Sequence, residues 1–327
     1  MLVLSQADVD AVLDLDRLVD AVAAAMVDLS AGRASVPPRV AATVPERNGL
    51  LVAMPAFLPS AKALTTKLVS LFPENRDIPT HQAIICCFDP ETGTPLAVLD
   101  GRSITSARTA AGSVIATRLL ARPDASVVAI LGTGVQARAH LRAMARAVPG
   151  ARFLVAGRDH DEARAVVAEL GPALTAALEV APSFEAAVRR ADIVCATTHA
   201  AEPVVRREWL GPGRHVNSVG YNTEGEGEVD AATVAEAVVV VESRAAALAP
   251  PPAGAVELRR AVEAGVIGPE HVRAELGELL AGTAVGRTSR DELTLYKSVG
   301  VAVQDAAAAA LVLEFARNNG AGIEVPI

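Results

Sequence analysis

The chain has 327 residues, 51% of them hydrophobic, with a formal net charge of −8 and three cysteines. That is enough apolar sequence for two cores, and the acidic balance without a basic run excludes nucleic acid or an anionic membrane surface as the natural partner. Adjacent Cys86 and Cys87 with one further cysteine exclude a disulfide framework, and the first ten residues lack a basic stretch followed by an apolar core, so a reduced, cytoplasmic protein acting on a small soluble molecule is expected.

Ser5 can cap a first helix, and Val9, Val12, Leu13, Leu18, Val22 and Met26 recur at helical spacing, which predicts two helical segments ending before Gly32. Pro37 and Pro38 hold the chain extended into Arg39 and Val40. Four short apolar runs follow, at Leu50 to Met54, Ala63 to Leu71, Ala83 to Phe88 and Pro95 to Leu99, with a hairpin composition at Asp89 to Gly93. They predict an α+β region with a largely antiparallel sheet. From Ser103 the spacing of Ile104, Ala107, Ala111, Val114, Ile115 and Leu119 is helical, and this helix is expected to carry the chain into a second domain.

The second domain is organised around Ser126 to Ala137. A β-branched apolar run ends in Gly132-Thr133-Gly134-Val135-Gln136-Ala137, the pattern of a strand turning into a helix. The glycines let the backbone approach a pyrophosphate, and the helix to about Val148 presents its free N–H groups and positive dipole end. A second strand, Arg152 to Ala156, ends at Gly157-Arg158-Asp159, where a dinucleotide fold reads the ribose. Arg158 suits a 2′-phosphate and Asp159 can cap the next helix, so NADP(H) is favoured over NAD(H). Further strands at Leu178 to Ala181, Ile193 to Thr197, His215 to Val219 and Ala237 to Val241 alternate with helices, and a last helix spans about Val299 to Ala316. The fold class is therefore α/β, a Rossmann-type doubly wound parallel sheet plus an α+β domain.

Polar residues in apolar runs carry the chemistry. Lys67 must reach solvent or meet an anion; the first makes it an edge-strand guard, the second a ligand contact. Arg108 reads as beginning a helix, where a cation opposes the dipole, so it pairs either with Asp100 or with a bound anion. With Arg39 the two could seat a carboxylate. His81 reads as a surface residue, and Glu228 and Asp230 as capping or structural groups rather than catalysts. Asp305 is open between cofactor positioning and an ion pair with Lys297. No histidine has ligand spacing, so no metal is expected.

Pro38-Arg39, Met54-Pro55-Ala56, Lys67, Asp100-Gly101, the run Ile104 to Ala111, the glycine motif, Glu275 to Leu279, Leu293 to Gly300 and Ala302 to Asp305 together resemble the ornithine cyclodeaminase and mu-crystallin family over nearly the whole chain. The resemblance implies a homodimer. Residues 1–115 with 300–327 would bind substrate and dimerise, and 116–299 would bind the dinucleotide. It implies a substrate carboxylate held by Arg39, Lys67 and Arg108 beside Met54, and nucleotide contacts through Thr109, Gly132, Thr133, Gly134, Val135, Gln136, Ala137, Arg158, Asp159, Thr197, Val219, Gly220 and Ser298. Members cyclise ornithine or lysine, oxidise alanine or reduce cyclic imines, and mu-crystallin-like members can act as nucleotide-dependent ligand binders.

One departure narrows the choice. Cyclodeaminases carry a catalytic aspartate where this chain has Asn222, and an amide cannot serve as that base. A reductase of a preformed imine needs a hydride, a carboxylate seat and a proton donor. Lys67 and Asn222 are then the catalytic candidates, and a pyrroline-2-carboxylate or piperideine-2-carboxylate type ketimine is the expected substrate.

Overall fold

The computed structural model describes residues 1–220, 225–250 and 253–326. The chain divides into two compact units, Met1–Arg108 with Gly300–Ile327, and Thr109–Val299. The division falls inside the helix Gly101–Leu120, ahead of the 115/116 boundary expected from sequence. Its cause is local: Arg108 is tied to Gln304 and Asp305, which draws the first turns of that helix into the unit completed by the C-terminal segment.

In the first unit, strand β1 (Leu2–Leu4) precedes helices α1 (Gln6–Val12) and α2 (Leu15–Ser30). Strands β2 (Val40–Val44), β3 (Gly49–Leu58), β4 (Ala63–Leu71), β5 (His81–Phe88) and β6 (Pro95–Asp100) follow, then the start of α3 (Gly101–Leu120). The sheet runs β1-β6-β5-β4-β3-β2, extended at the β1 edge by the C-terminal strand Ile323–Glu324. Every pairing in it is antiparallel except that of β1 with β6. Ser5 does cap α1: its Oγ accepts from the Asp8 amide while Asp8 accepts from the Ser5 amide, two orphan donors satisfied reciprocally.

Strand β3 runs through Pro55 instead of stopping at Met54. Its pairing with β2 ends at Ala53 opposite Val40, and Phe57 next donates its amide to Ser35. By the two-residue period of a strand, the N–H that Pro55 lacks would point to that same side, into the gap between these pairings. The residues Val52, Met54, Ala56 and Leu58 are buried beneath the C-terminal helix Ala302–Asn319, which packs on α2, β3 and β4.

In the second unit the strands are β7 (Val127–Leu131), β8 (Arg152–Ala156), β9 (Ala177–Val180), β10 (Ile193–Ala196), β11 (His215–Ser218), β12 (Val238–Val241), β13 (Val272–Glu275) and β14 (Thr294–Lys297). Helices α4 (Val135–Ala147), α5 (His160–Leu170) and α6 (Phe184–Arg190) connect the first four. The order is β13-β12-β14-β11-β10-β7-β8-β9, with every pair parallel. This is the doubly wound sheet expected, with its switch point at β7, where the chain steps to β8 on one side and β10 on the other. The strand β14 was not expected. It lies between β11 and β12, and its Thr294 and Lys297 are buried although polar.

Candidate functional site

In the first unit, Lys67 at the middle of β4 is only 2% exposed, and Met54 is its partner across the β3–β4 register. It is therefore an interior lysine, not an edge guard. Lys67 Nζ lies 3.2 Å from Oδ1 of Asp305, and Arg108 Nε donates to the same oxygen at 3.1 Å. Arg108 Nη1 also donates to Gln304 Oε1 at 3.1 Å, and Arg39 Nη2 donates to the Gly300 carbonyl at 2.8 Å. Arg108 lies inside α3 and not at its start; Asp100, the sequence alternative for it, instead pairs with Arg102 at 2.9 Å and accepts amides at the start of α3.

Two cations thus share one carboxylate oxygen, and Arg39 lies close enough to add its charge to the field at Lys67. Desolvation pushes the Lys67 pKa down to about 8; the charge of Asp305 opposes this, and Arg108 and Arg39 add to it. Asp305 is held below the usual carboxylate range: burial alone would raise it, and Lys67 and Arg108 outweigh that. Lys67 and Arg108 alone carry more positive charge than Asp305 neutralises, so the cluster suits a second carboxylate supplied by a ligand. Gly300 holds this arrangement open. Its φ is +70°, and a Cβ there would come within 2.7 Å of both terminal nitrogens of Arg108.

His81, read from sequence as a surface residue, opens β5 with an exposed side chain. Its ring is also surrounded by protein atoms at longer range. That partial burial, followed by the charges of Lys67 and Arg108 and opposed by Asp305, lowers its pKa to about 4. The ring is accordingly neutral at pH 7. The sequence alone does not mark Gln304 and Gly300 as site residues, and it leaves Asp305 between cofactor positioning and an ion pair with Lys297. A signal existed: adjacent amide and acid in the apolar run Ala302 to Ala310 must be paired if that helix is buried.

In the second unit, the glycine motif fits a dinucleotide. Gly132 has φ +119°, and a Cβ would meet Thr197 Oγ1 at 2.9 Å, so only glycine allows this turn. Gly134 is the N-cap of α4 with no side-chain cap, and a Cβ there would meet nothing within 4 Å. The start of α4, at Val135, Gln136 and Ala137, thus has room for a phosphate without competition from a capping side chain. Thr133 donates to Glu162 at 2.7 Å, and Thr197 donates to the Leu131 carbonyl at 2.8 Å, so both hydroxyls brace the turn. Asp159 caps α5, accepting from the amides of Asp161 at 2.7 Å and Glu162 at 3.3 Å. Arg158 beside it is exposed, and no described residue engages its guanidinium.

Beyond β11, Val219 donates to the Ala196 carbonyl, and Gly220 donates to Glu228 at 2.7 Å. Asn222 lies outside the described residues. Of the two acids that follow it, Asp230 caps the helix Ala231–Glu236, whereas Glu228 is buried and also accepts from Thr198 and Ser218. Lys297 pairs with Glu257 at 3.1 Å and not with Asp305. Ser298 donates to Glu242 at 2.5 Å, and Thr109, the first residue of the unit, is buried. Among the described residues no cluster of His, Cys, Asp or Glu could hold a metal ion, and no helix is long and apolar enough to cross a membrane.

The sequence profile of the ornithine cyclodeaminase/mu-crystallin family matches residues 1–320. An alanine dehydrogenase of Archaeoglobus fulgidus is 35% identical over 326 residues, 99% of this chain and 98% of that protein. The ketimine reductase mu-crystallin of Mus musculus is 36% identical over 280 residues, 85% of this chain and 84% of its own. The structure of Thermococcus litoralis Delta(1)-pyrroline-2-carboxylate reductase in complex with NADH and L-proline superposes with a TM-score of 0.94 at 36% identity, covering 99% of this chain and all of that one (100%). With a profile match from the first residue to residue 320, the chain belongs to the ornithine cyclodeaminase/mu-crystallin family.

Proposed function

We propose that this chain is a nicotinamide-dependent reductase of a small cyclic imine carboxylate, of the pyrroline-2-carboxylate or piperideine-2-carboxylate type, forming an L-amino acid. The observation that carries the reading is the buried pair Lys67 and Arg108 sharing one oxygen of Asp305, with Arg39 anchored beside it on the Gly300 carbonyl. The relatives named ketimine reductase and pyrroline-2-carboxylate reductase support it.

When bound, the nicotinamide supplies the hydride. Arg39 and Arg108 hold the substrate carboxylate, and Arg108 offers a guanidinium whose planar geometry matches it. Lys67, with a pKa of about 8, passes a proton from Nζ to the imine nitrogen as the carbon is reduced. Met54, across the strand pair from Lys67, gives the ring an apolar wall. Asn222 hydrogen-bonds substrate or orders a water.

The cofactor is a nicotinamide dinucleotide, and we assign NADP(H) over NAD(H) because Asp159 is turned to cap α5 while Arg158 beside it stays exposed. The protein acts as a homodimer. The outer face of the first sheet carries an apolar stripe among polar residues such as Thr66, Ser70 and Gln82: Ala53, Leu68 and Ile84 align across β3, β4 and β5, with Leu51, Phe57 and Leu64 on the same face. Ile84 is 43% exposed and Leu51 46% in the single chain, and a second copy would cover them. Free Cys86, Cys87 and Cys195 suit a reducing cytoplasm.

The alanine dehydrogenase relative favours a second reading, the same hydride step on an open-chain imine formed from a 2-oxo acid and ammonia. Absorbance-monitored NADPH and NADH oxidation with both cyclic imines, and with pyruvate plus ammonia, separates the two. Turnover of the cyclic imines supports the proposal. Turnover of pyruvate with ammonia alone replaces it, and binding without turnover makes the chain a ligand-binding protein.

A further inference from the structure

Asp305 uses its two oxygens very unequally. Oδ1 receives both Lys67 and Arg108, whereas Oδ2 is buried and has no hydrogen-bond partner among the described residues. The neighbouring Gln304 Nε2 is likewise buried without a partner. A buried ion pair contributes to stability only when its remaining lone pairs are also satisfied. This one leaves a lone oxygen unmet, so fold stability is a poor explanation for the arrangement.

The charges around the lysine supply a better one. Four groups face Lys67 from four segments: Arg108 on α3, Arg39 ahead of β2, His81 on β5, and Asp305 on the C-terminal helix. Asp305 is the lone negative charge among them. Burial and both guanidiniums favour the neutral amine, which has no acidic proton to give at neutral pH. An ammonium has three N–H donors; Asp305 takes one, and no other described residue takes either of the others.

We propose that Asp305 is the positioning residue of the lysine acid, holding Lys67 Nζ at an oxygen shared with Arg108 so that the lysine stays an ammonium with N–H groups left for the substrate. The proposal rests on the reading of Lys67 as proton donor. Asp305 acts through Lys67 and need not touch the substrate.

The chain contains three lysines, Lys62, Lys67 and Lys297, so protein labelled with 13C at lysine Cε gives a spectrum simple enough to titrate. Lys67→Arg identifies the Lys67 signal. In Asp305→Asn the Lys67 midpoint should fall by about 1–3 pH units, the usual effect of removing an opposite charge in contact. The high-pH limb of kcat/KM for imine reduction should fall with it, and Asp305→Glu should restore both. A folded Asp305→Asn protein with an unmoved Lys67 midpoint overturns the proposal. If that variant does not fold, Arg108→Gln probes the same oxygen: the midpoint should rise, and an unchanged one overturns the proposal. Because the titration needs no turnover, a lowered midpoint in a protein that reduces no imine would support the role of Asp305 while refuting the reductase reading.

Discussion

Replacing Gly300 by alanine tests the cation cluster with a single methyl group. The added Cβ would lie 2.7 Å from Nη1 and Nη2 of Arg108 and 3.1 Å from its Cζ, so the guanidinium must move. The backbone cannot relieve the clash cheaply, because φ of +70° already costs a non-glycine residue about 1–2 kcal/mol. Moving Arg108 strains its 3.1 Å bonds to Asp305 and Gln304 and shifts the donor meant for the substrate carboxylate. A charged hydrogen bond is worth about 1.5–3 kcal/mol. Losing about 2–3 kcal/mol of transition-state binding corresponds to roughly a 30- to 150-fold fall in kcat/KM. The assay is steady-state imine reduction, with cofactor affinity followed by nucleotide fluorescence. Affinity for the cofactor should stay within about twofold, since the glycine motif belongs to the other unit. A Gly300→Ala enzyme with wild-type kcat/KM would refute the placement of Arg108 at the substrate.

Three further outcomes follow from the same structure. As Lys67 must be protonated to act as an acid and has a pKa of about 8, kcat/KM for imine reduction should be flat below that pH and fall above it, whereas amino acid oxidation should rise through it; a reduction profile that rises above pH 8 would remove Lys67 from this role. Arg158→Ala should weaken NADPH binding by about tenfold or more, as expected for losing a charged phosphate contact, and leave NADH nearly unchanged; equal losses for both would return the choice to NAD(H). His140 is fully buried, bonded to Ser113 and the Gln136 carbonyl, and burial lowers its pKa from 6.5 to about 4. The unfolded chain then binds the extra proton between those values, so this stability is complete above pH 6.5 and lost as pH falls towards 4, about 3 kcal/mol in all. Urea unfolding of His140→Gln across that range should show a shallower acid decline, and an unchanged slope would contradict the assignment.

Most of the second unit was legible because its strands and helices have clean and different periods. Arg152–Ala156 matches residue for residue, and α4 ends one residue from its expected limit. The unexpected strand β14 explains what sequence hides. Thr294 and Lys297 break the apolar run, and they are tolerated inside because His215 and Glu257 satisfy them. In β3, the apolar run predicts a strand only to Met54, yet a proline fits where the neighbouring pairing has a gap, and the strand continues to Leu58. At the site, the types of residue were legible but the pairings were not. Arg108 chose between Asp100 and Asp305, and Asp305 between Lys297 and Lys67, by tertiary geometry that no spacing of residues far apart in the chain encodes.

The central claim is that this chain moves a hydride from a nicotinamide to the carbon of a cyclic imine carboxylate. It is tested most directly with NADPH deuterated at the transferable position of nicotinamide C4 and pyrroline-2-carboxylate, followed by mass spectrometry of the product. The account predicts L-proline carrying one deuterium at its α-carbon, formed by the wild type and lost in Arg108→Ala. Proline without deuterium, or no proline while NADPH and the imine both bind, would contradict it.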